Sequence, residues 1–340
     1  MPPRNKFWFS SMQKYFAILL CVAASVRGSE IPDSLSVEAT QENTAWTVFY
    51  KGQKLMVYSF RPQKFKPYVQ ELCTLRGDNI LRDAPRDHLH HHGLMYAIKV
   101  NGINFWEEVS GNGVQKVLQS GKPLLDSINV KDNELPRATL SQVIHWVAPQ
   151  DAFLADSTVA ALLIERRTLT LTLAPSEQEV ALEWKSEFEV GSKTNTVTLT
   201  GATYHGLGLR FRQEFDRLAA HSLRGVQPDL ANNRQDVSVA PWASVSFDAP
   251  GHPASIAVAG HPANPCGVPT FFSMLTPFSY LSATQALDKK PLVYHTGERF
   301  ELRYLILLYP MLASSDLIEK RVETWKKQNP WKESRYVPTR

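Results

Sequence analysis

Cysteine is scarce in this 340-residue chain: there are three, with no Cys-x-x-Cys pair among them. That excludes a zinc knuckle held by cysteines, and it excludes a disulfide framework. With Cys21 in the N-terminal segment, Cys73 and Cys266 are the remaining candidates for a disulfide, and their pairing is left open. Long apolar runs are also few. The run YFAILLCVAASV at 15–26 is shorter than the roughly 20 residues a spanning helix needs, and no second run of that length follows. Lysine-rich blocks with interleaved aromatics, internal repeats and low-complexity segments do not occur. The formal charge of +4 rests on Arg4, Lys6, Lys14 and Arg27, with no acid before residue 28; beyond it 33 basic residues face 33 acidic ones. A balance this even gives no electrostatic case for nucleic acid or an anionic membrane surface as partner.

What the N-terminus does have is a basic start, a short apolar centre and a small-residue end at Ala23, Ala24, Ser25, Gly28 and Ser29. These are the three parts of a secretory signal peptide, placing residues 1–28 in the signal and the mature protein in the periplasm or outside the cell, with no span left after cleavage. The rest reads as strands. TAWTVFYKGQKLMVYSF folds back around Lys51-Gly52, and GLMYAIKVNGINFW around Asn101-Gly102, the strongest short-range hairpin signal. LIERRTLTLTLAP and TNTVTLT alternate polar and apolar residues, as a sheet with one wet face does. Strands recurring without helices between them point to an all-β, large antiparallel β-sandwich over residues 29–340, one domain. A helix is expected only near the C-terminus, over 315–328. LIEKRVETWKKQ puts Leu317, Val322 and Trp325 on one face, Asp316 or Ser315 supplies the cap and Pro330 ends it.

The densest chemistry is in RDHLHHHG, where His88, His90, His91 and His92 occupy five positions. On an extended backbone His88, His90 and His92 share a face and His91 lies opposite; if the loop curls, other combinations meet. Neutral imidazole suits proton transfer near neutral pH and hydrogen bonding to sugar hydroxyls, and two or three imidazoles suit a metal. HxHHH matches no strict metal spacing, so no cofactor is called for, while a divalent metal at the cluster stays open. Arg86 and Asp87 are placed to bind an anion or fix a tautomer. A second group, His205, Arg210, His261 and Asn264, falls where Gly- and Pro-bounded loops leave strands. Arg210 on an apolar strand needs a partner, with Glu214 or a ligand carboxylate as candidates. Trp242, Trp106 and Tyr96 are candidates for stacking on a sugar ring.

The stretch KPYVQELCTLRGDNILRDAPRDHLHHHGLMYAIKVNGINFW resembles the signature region of a bacterial family labelled PmoA, or methane oxygenase. That family has an RPY entrance, a DHPHHRGL-type loop and a VNGVDFW hairpin. HGLGLRF at 205–211, APW at 240–242, the HPxNP loop in GHPANPCGVPTFF and the closing KKPLVYHTGERFELRYLILLY extend the likeness over nearly the whole mature chain. Leu89 replaces the family's usual proline, and His92 its common arginine or lysine. A membrane methane oxygenase does not fit a chain without a second apolar span. What the resemblance implies instead is an exported sandwich similar to the galactose-mutarotase supersandwich, whose members bind, epimerise or cleave carbohydrates.

The expected function is therefore that of an exported carbohydrate-active protein. His90 and His91 would do acid–base work of the epimerase, lyase or hydrolase kind, with His205 or His261 as partner and Glu71, Glu214 or Glu301 as candidate carboxylates. Arg86, Asp87, His88, His92, Arg210, Asn264 and Trp242 would bind substrate. The alternatives are a non-catalytic carbohydrate-binding protein and a metal-binding protein using the cluster. Both specific stretches are expected to line one site. N-terminal sequencing of the exported protein should find its first residue at about 24–30, the small-residue end of a signal peptide; Met1 retained on a cytoplasmic protein would exclude export.

Overall fold

The computed structural model describes residues 35–62, 64–130, 133–152 and 160–330, so the expected signal peptide lies outside the described residues. All of the described residues belong to one compact unit, Ile31–Arg340.

The sequence patterns become three antiparallel sheets. In the first, of nine strands, the order is Leu35–Ala39, Ala45–Tyr50, Gln53–Ser59, Tyr68–Leu72, Leu94–Ala97, Gly206–Arg210, Tyr280–Thr284, Thr270–Met274, Gln235–Val239. The second is built on the three longest strands, Asn133–Val147, Leu163–Ala174 and Glu179–Val190, continued by Arg299–Tyr309, Ala254–Gly260, Trp242–Phe247 and Ala219–Leu223. A small third sheet contains the Asn101-Gly102 hairpin. Both turn residues there have positive φ, 49° and 78°, the backbone a two-residue hairpin needs and the reason Asn-Gly marks it. Lys51 and Gly52 turn the first hairpin the same way. In Leu163–Ala174 buried and half-buried positions alternate through most of the strand, one face inward and one toward water. The large antiparallel β-sandwich expected from the strand pattern is thus the observed architecture. Trp46, Trp146, Trp184, Tyr58 and Tyr96 are fully buried in its core.

A charged pair is buried with them. Arg167 donates to both Glu165 oxygens at 2.7 and 3.0 Å, to the Pro67 carbonyl at 2.9 Å and to Gln115 at 3.2 Å. Glu165 also accepts from Trp146 at 2.9 Å and Ser186 at 2.6 Å. With every polar edge met, the desolvation of the pair is offset, and the second sheet is tied to the chain just before the strand Tyr68–Leu72.

The C-terminal helix spans Ser315–Gln328, the expected range, but its cap is Ser314, which accepts from Leu317 N at 3.2 Å. Its buried stripe is Ile318, Val322 and Trp325, with Leu317 only half-buried, because residues three and four apart share a helix face. The stripe packs on Ala181, Ala257 and Ala259 of the second sheet, small residues that let the helix approach closely. Trp242 is buried under the same helix and donates to Glu319 at 2.5 Å, so it is a packing residue, and the expected sugar-stacking role does not hold. Arg321 to Glu179 and Trp325 to Glu183 at 3.1 Å pin the helix further. Cys73 is buried and Cys266 exposed, both as free thiols. Trp325→Ala should cost about 3–5 kcal/mol of unfolding free energy in a denaturant titration. Trp325→Phe should recover most of this, since it keeps the buried ring and loses the bond to Glu183.

Candidate functional site

The histidine loop curls. His88 N bonds to Pro85 O and His91 N to His88 O, both at 2.9 Å, giving two consecutive turns. The curl changes which side chains meet. His88, His90 and His91 come together, with His91 4.6 Å from each of the other two rings between centroids. His92 is the residue that turns away. The alternation expected for an extended backbone, with His91 opposite, is therefore corrected.

His92 is fully buried beneath the loop. Its Nδ1 lies 2.5 Å from Asp83 and its Nε2 2.8 Å from Glu108, while its ring stacks on Tyr68 at 3.8 Å. Lys66 donates to Glu108 at 2.8 Å and to the Trp106 carbonyl at 2.9 Å. Burial would raise the Glu108 carboxyl, but the His92 hydrogen bond and the Lys66 charge outweigh it and hold it at about 2. This cluster satisfies itself and offers no open position, so His92 anchors the loop and does not meet substrate.

Above it opens a cleft with a volume of about 330 Å³, lined by His88, His90, His91, Glu107 and an aromatic wall that includes Tyr204, Phe272 and Phe278. His91 faces Tyr280 at 5.7 Å and Phe278 at 5.7 Å. Burial, reinforced by the neighbouring His90 and His88, drives the His91 pKa down to about 2, and burial lowers His90 too. Asp87 lies 3.1 Å from His88 Nδ1; burial raises its carboxyl, but the His88 bond and the Arg210 charge lower it more. An ionised Asp87 accepts a hydrogen bond from a protonated Nδ1 of His88. Arg86, beside it, is solvent-exposed.

Behind the cleft, His205 stacks on Trp106 at 4.9 Å, and burial lowers its pKa to about 3. Gly208 makes this packing possible, since a Cβ there would overlap the Tyr280 hydroxyl and touch the Trp106 ring. Arg210 is 1% exposed, lies 3.4 Å over the Phe278 ring and 3.9 Å from Asp87. Its expected partner Glu214 pairs instead with Arg212 at 2.5 Å. Four buried groups around the cleft have ring or guanidinium nitrogens without a hydrogen-bond partner: His91 Nδ1, His205 Nδ1, Trp106 Nε1, and Arg210 Nε and Nη1. Buried polar nitrogens are normally paired with protein or water, so these are open to a ligand or to water in the cleft.

The HPxNP loop is elsewhere. Asn264 pins it to the strand Arg299–Tyr309 through two bonds with the Arg303 backbone, 2.8 and 3.0 Å, and lines a second cleft. His261 packs edge-on against Trp325 at 5.6 Å, and its Nδ1 accepts from Ala263 N at 3.2 Å. Neither lines the histidine cleft, so the single site expected for the two stretches is two. Glu71 pairs with Lys54 at 2.5 Å and Glu301 with Arg303, which takes both from the list of reacting carboxylates. Glu107 was missed, although it follows Trp106 directly. Phe272, Phe278 and Tyr280 were missed because FFSM and PFSY read equally well as core. Among the described residues no group of three or more His, Cys, Asp or Glu is arranged to hold a metal ion.

The buried histidines make stability depend on pH. An unfolded histidine takes its proton near 6.5, whereas His91 and His205 do so only at about 2 and 3 in the fold. Below pH 6.5 the unfolded chain therefore binds protons the folded one refuses, and stability falls with pH. Glu108, held at about 2 against 4.5, adds a loss below 4.5. In His205→Gln the slope of unfolding free energy between pH 6 and 4 should be shallower by about 1.4 kcal/mol per pH unit, one proton's share. An unchanged slope in denaturant titrations would contradict it.

A family model matches residues 45–323, and it describes a family of unknown function; the name PmoA is not confirmed. No curated protein matches. Among solved structures, the chain is similar to the galactosidase domain of the α-galactosidase–sucrose kinase AgaSK, at 10% identity and TM-score 0.43 over 81% of this chain and 42% of that one. It is also similar to the GH36 α-galactosidase AgaB from Geobacillus stearothermophilus (11%, 0.45, 80% and 40%) and to the α-galactosidase from Lactobacillus brevis (8%, 0.43, 86% and 42%). The chain thus spans about two fifths of the length of each, and at this identity and superposition the likenesses carry no functional argument. The matched residues 45–323 take in both clefts and every strand after Leu35–Ala39, and the chain belongs to DUF6807, a family of unknown function.

Proposed function

We propose that this protein binds a carbohydrate in the histidine cleft, outside the cytoplasm, and moves a proton on it. The observation that carries the reading is three imidazoles facing an aromatic wall in one cleft, two of them lowered by burial. The uncharged His91 ring donates and accepts hydrogen bonds without selecting an anion or a cation. Aromatic faces take the apolar faces of a ring-shaped ligand, while convergent polar atoms fix its orientation. A polyhydroxylated sugar ring offers both surfaces.

The histidines differ in what they do. A pKa of about 2 keeps His91 neutral, so its ring serves as a fixed hydrogen-bonding group. Burial and the Lys66 charge lower His90 as well, but it is less buried than His91 and is the base of the pair. Removing a proton from a sugar carbon or hydroxyl and returning it is common to epimerisation and non-hydrolytic cleavage, the two chemistries this arrangement suits. His205, behind Trp106, positions that ring and does not reach substrate.

A saccharide panel tested by calorimetry, with products followed by NMR, checks the reading. His90→Gln should leave binding within about threefold and reduce turnover by about 10²–10⁴-fold, the usual contribution of a general base. Binding without turnover in the unmodified protein would favour the non-catalytic alternative. Absence of any saccharide binding would remove the reading.

A further inference from the structure

We propose that the cleft at the HPxNP loop is a distal subsite of the same binding face, so that the ligand is an extended saccharide chain. This rests on the carbohydrate reading above and adds the length of the ligand. The register carries it. Gln235 lies opposite Met274, which lies opposite Tyr280, and all three line the histidine cleft. Four residues along the same strands, Val239 lies opposite Thr270, which lies opposite Thr284, and these three line the second cleft. Residues two and four apart on a strand share a face, so the two clefts meet the same face of one three-stranded segment, the second reaching round its end to Gln285 and to Tyr304 of the second sheet. At about 3.3 Å per residue they are about 13 Å apart, farther than a single hexose ring reaches. Val237, Phe272 and Ser282 lie in the row between them, the last two buried, with Tyr204 beside Phe272 at 6.0 Å.

The second cleft has a volume of about 320 Å³ and its own unmet polar group. Gln285 is 5% exposed and accepts the Tyr96 hydroxyl at 2.7 Å through its Oε1, while its Nε2 is buried without a partner in the cleft wall. Flipping the amide only exchanges which atom is left over. An amide donor of this kind is matched by a hydroxyl or ring oxygen of the ligand. Lys290 at the rim and the Asn264 loop, locked to the Arg303 backbone, complete a preformed wall. A ligand reaching both clefts meets hydrogen-bonding groups at each end and a row of Val237, Phe272 and Ser282 between, which suits a chain of linked sugar rings.

The test measures affinity against chain length on an array of mono- to hexasaccharides. It compares the unmodified protein with Gln285→Leu and with Val239→Arg, the latter at a side chain 69% exposed on the edge strand, where the change cannot disturb the core. Longer chains should bind more tightly than monosaccharides. Both variants should lose about tenfold for the longer chains, Gln285→Leu by removing a buried polar partner and Val239→Arg by obstructing the cleft, and nothing for monosaccharides. Equal affinity at every length, or variants that change nothing, would overturn the distal subsite while leaving the histidine cleft intact. An equal loss at all lengths in Val239→Arg would also overturn it. If no saccharide of any length binds the unmodified protein, the carbohydrate reading falls as well.

Discussion

A charge carried into the interior of a β-sandwich must be met on every polar edge, and the segment 66–68 is where this protein meets that demand. Arg167, paired with Glu165 in the core, reaches the Pro67 carbonyl. Lys66, one residue earlier, holds Glu108 and the Trp106 carbonyl, and Tyr68, one residue later, stacks on His92. The buried pair in the second sheet is thereby linked, through three consecutive residues, to the floor of the histidine cleft in the first. Removing one partner would leave an uncompensated charge in low dielectric, a far larger cost than the net worth of the pair. That asymmetry holds the loop at 85–92 in place more firmly than its own two turns could.

Rigidity there has a chemical consequence. Because His92 is clamped between Asp83 and Glu108, the backbone on either side is fixed, and His88, His90 and His91 project together on the other side. Phe278, Tyr280 and Trp106 surround them and strip away water, and the same desolvation that lowers His91 and His205 leaves ring nitrogens without partners. A fold tolerates such unmet groups where a ligand meets them. The site is paid for in acid tolerance.

The second sheet plays a different part. Its outer face is closed at one end by the C-terminal helix, whose Trp325 and Arg321 engage Glu183 and Glu179. That helix also explains the fate of the second expected stretch: Trp242 is under it, and His261 packs against Trp325. The HPxNP loop, fastened to Arg303 by Asn264, is left to shape the far end of the first sheet's open face.

Strand periodicity, the Lys51-Gly52 and Asn101-Gly102 turns and the amphipathic helix at 315–328 were legible in the sequence, because each is a local pattern with a local physical cause: alternation, positive φ and a three-to-four-residue stripe. The density of histidines at 88–92 was legible too, but not that His205 would stack behind Trp106 outside the cleft. Which histidine faced which way was not. His91 and His92 differ by one position on a curled loop, and only Asp83, Glu108 and Tyr68, brought in from other segments, decide that His92 is the buried one. The aromatic wall was equally hidden, since Phe272 and Tyr280 alternate and are buried as core residues are, and only the tertiary structure brings them beside the histidine loop. The separation of the histidine cleft from the HPxNP loop likewise follows from strand pairing between segments far apart in the chain, which no local pattern encodes.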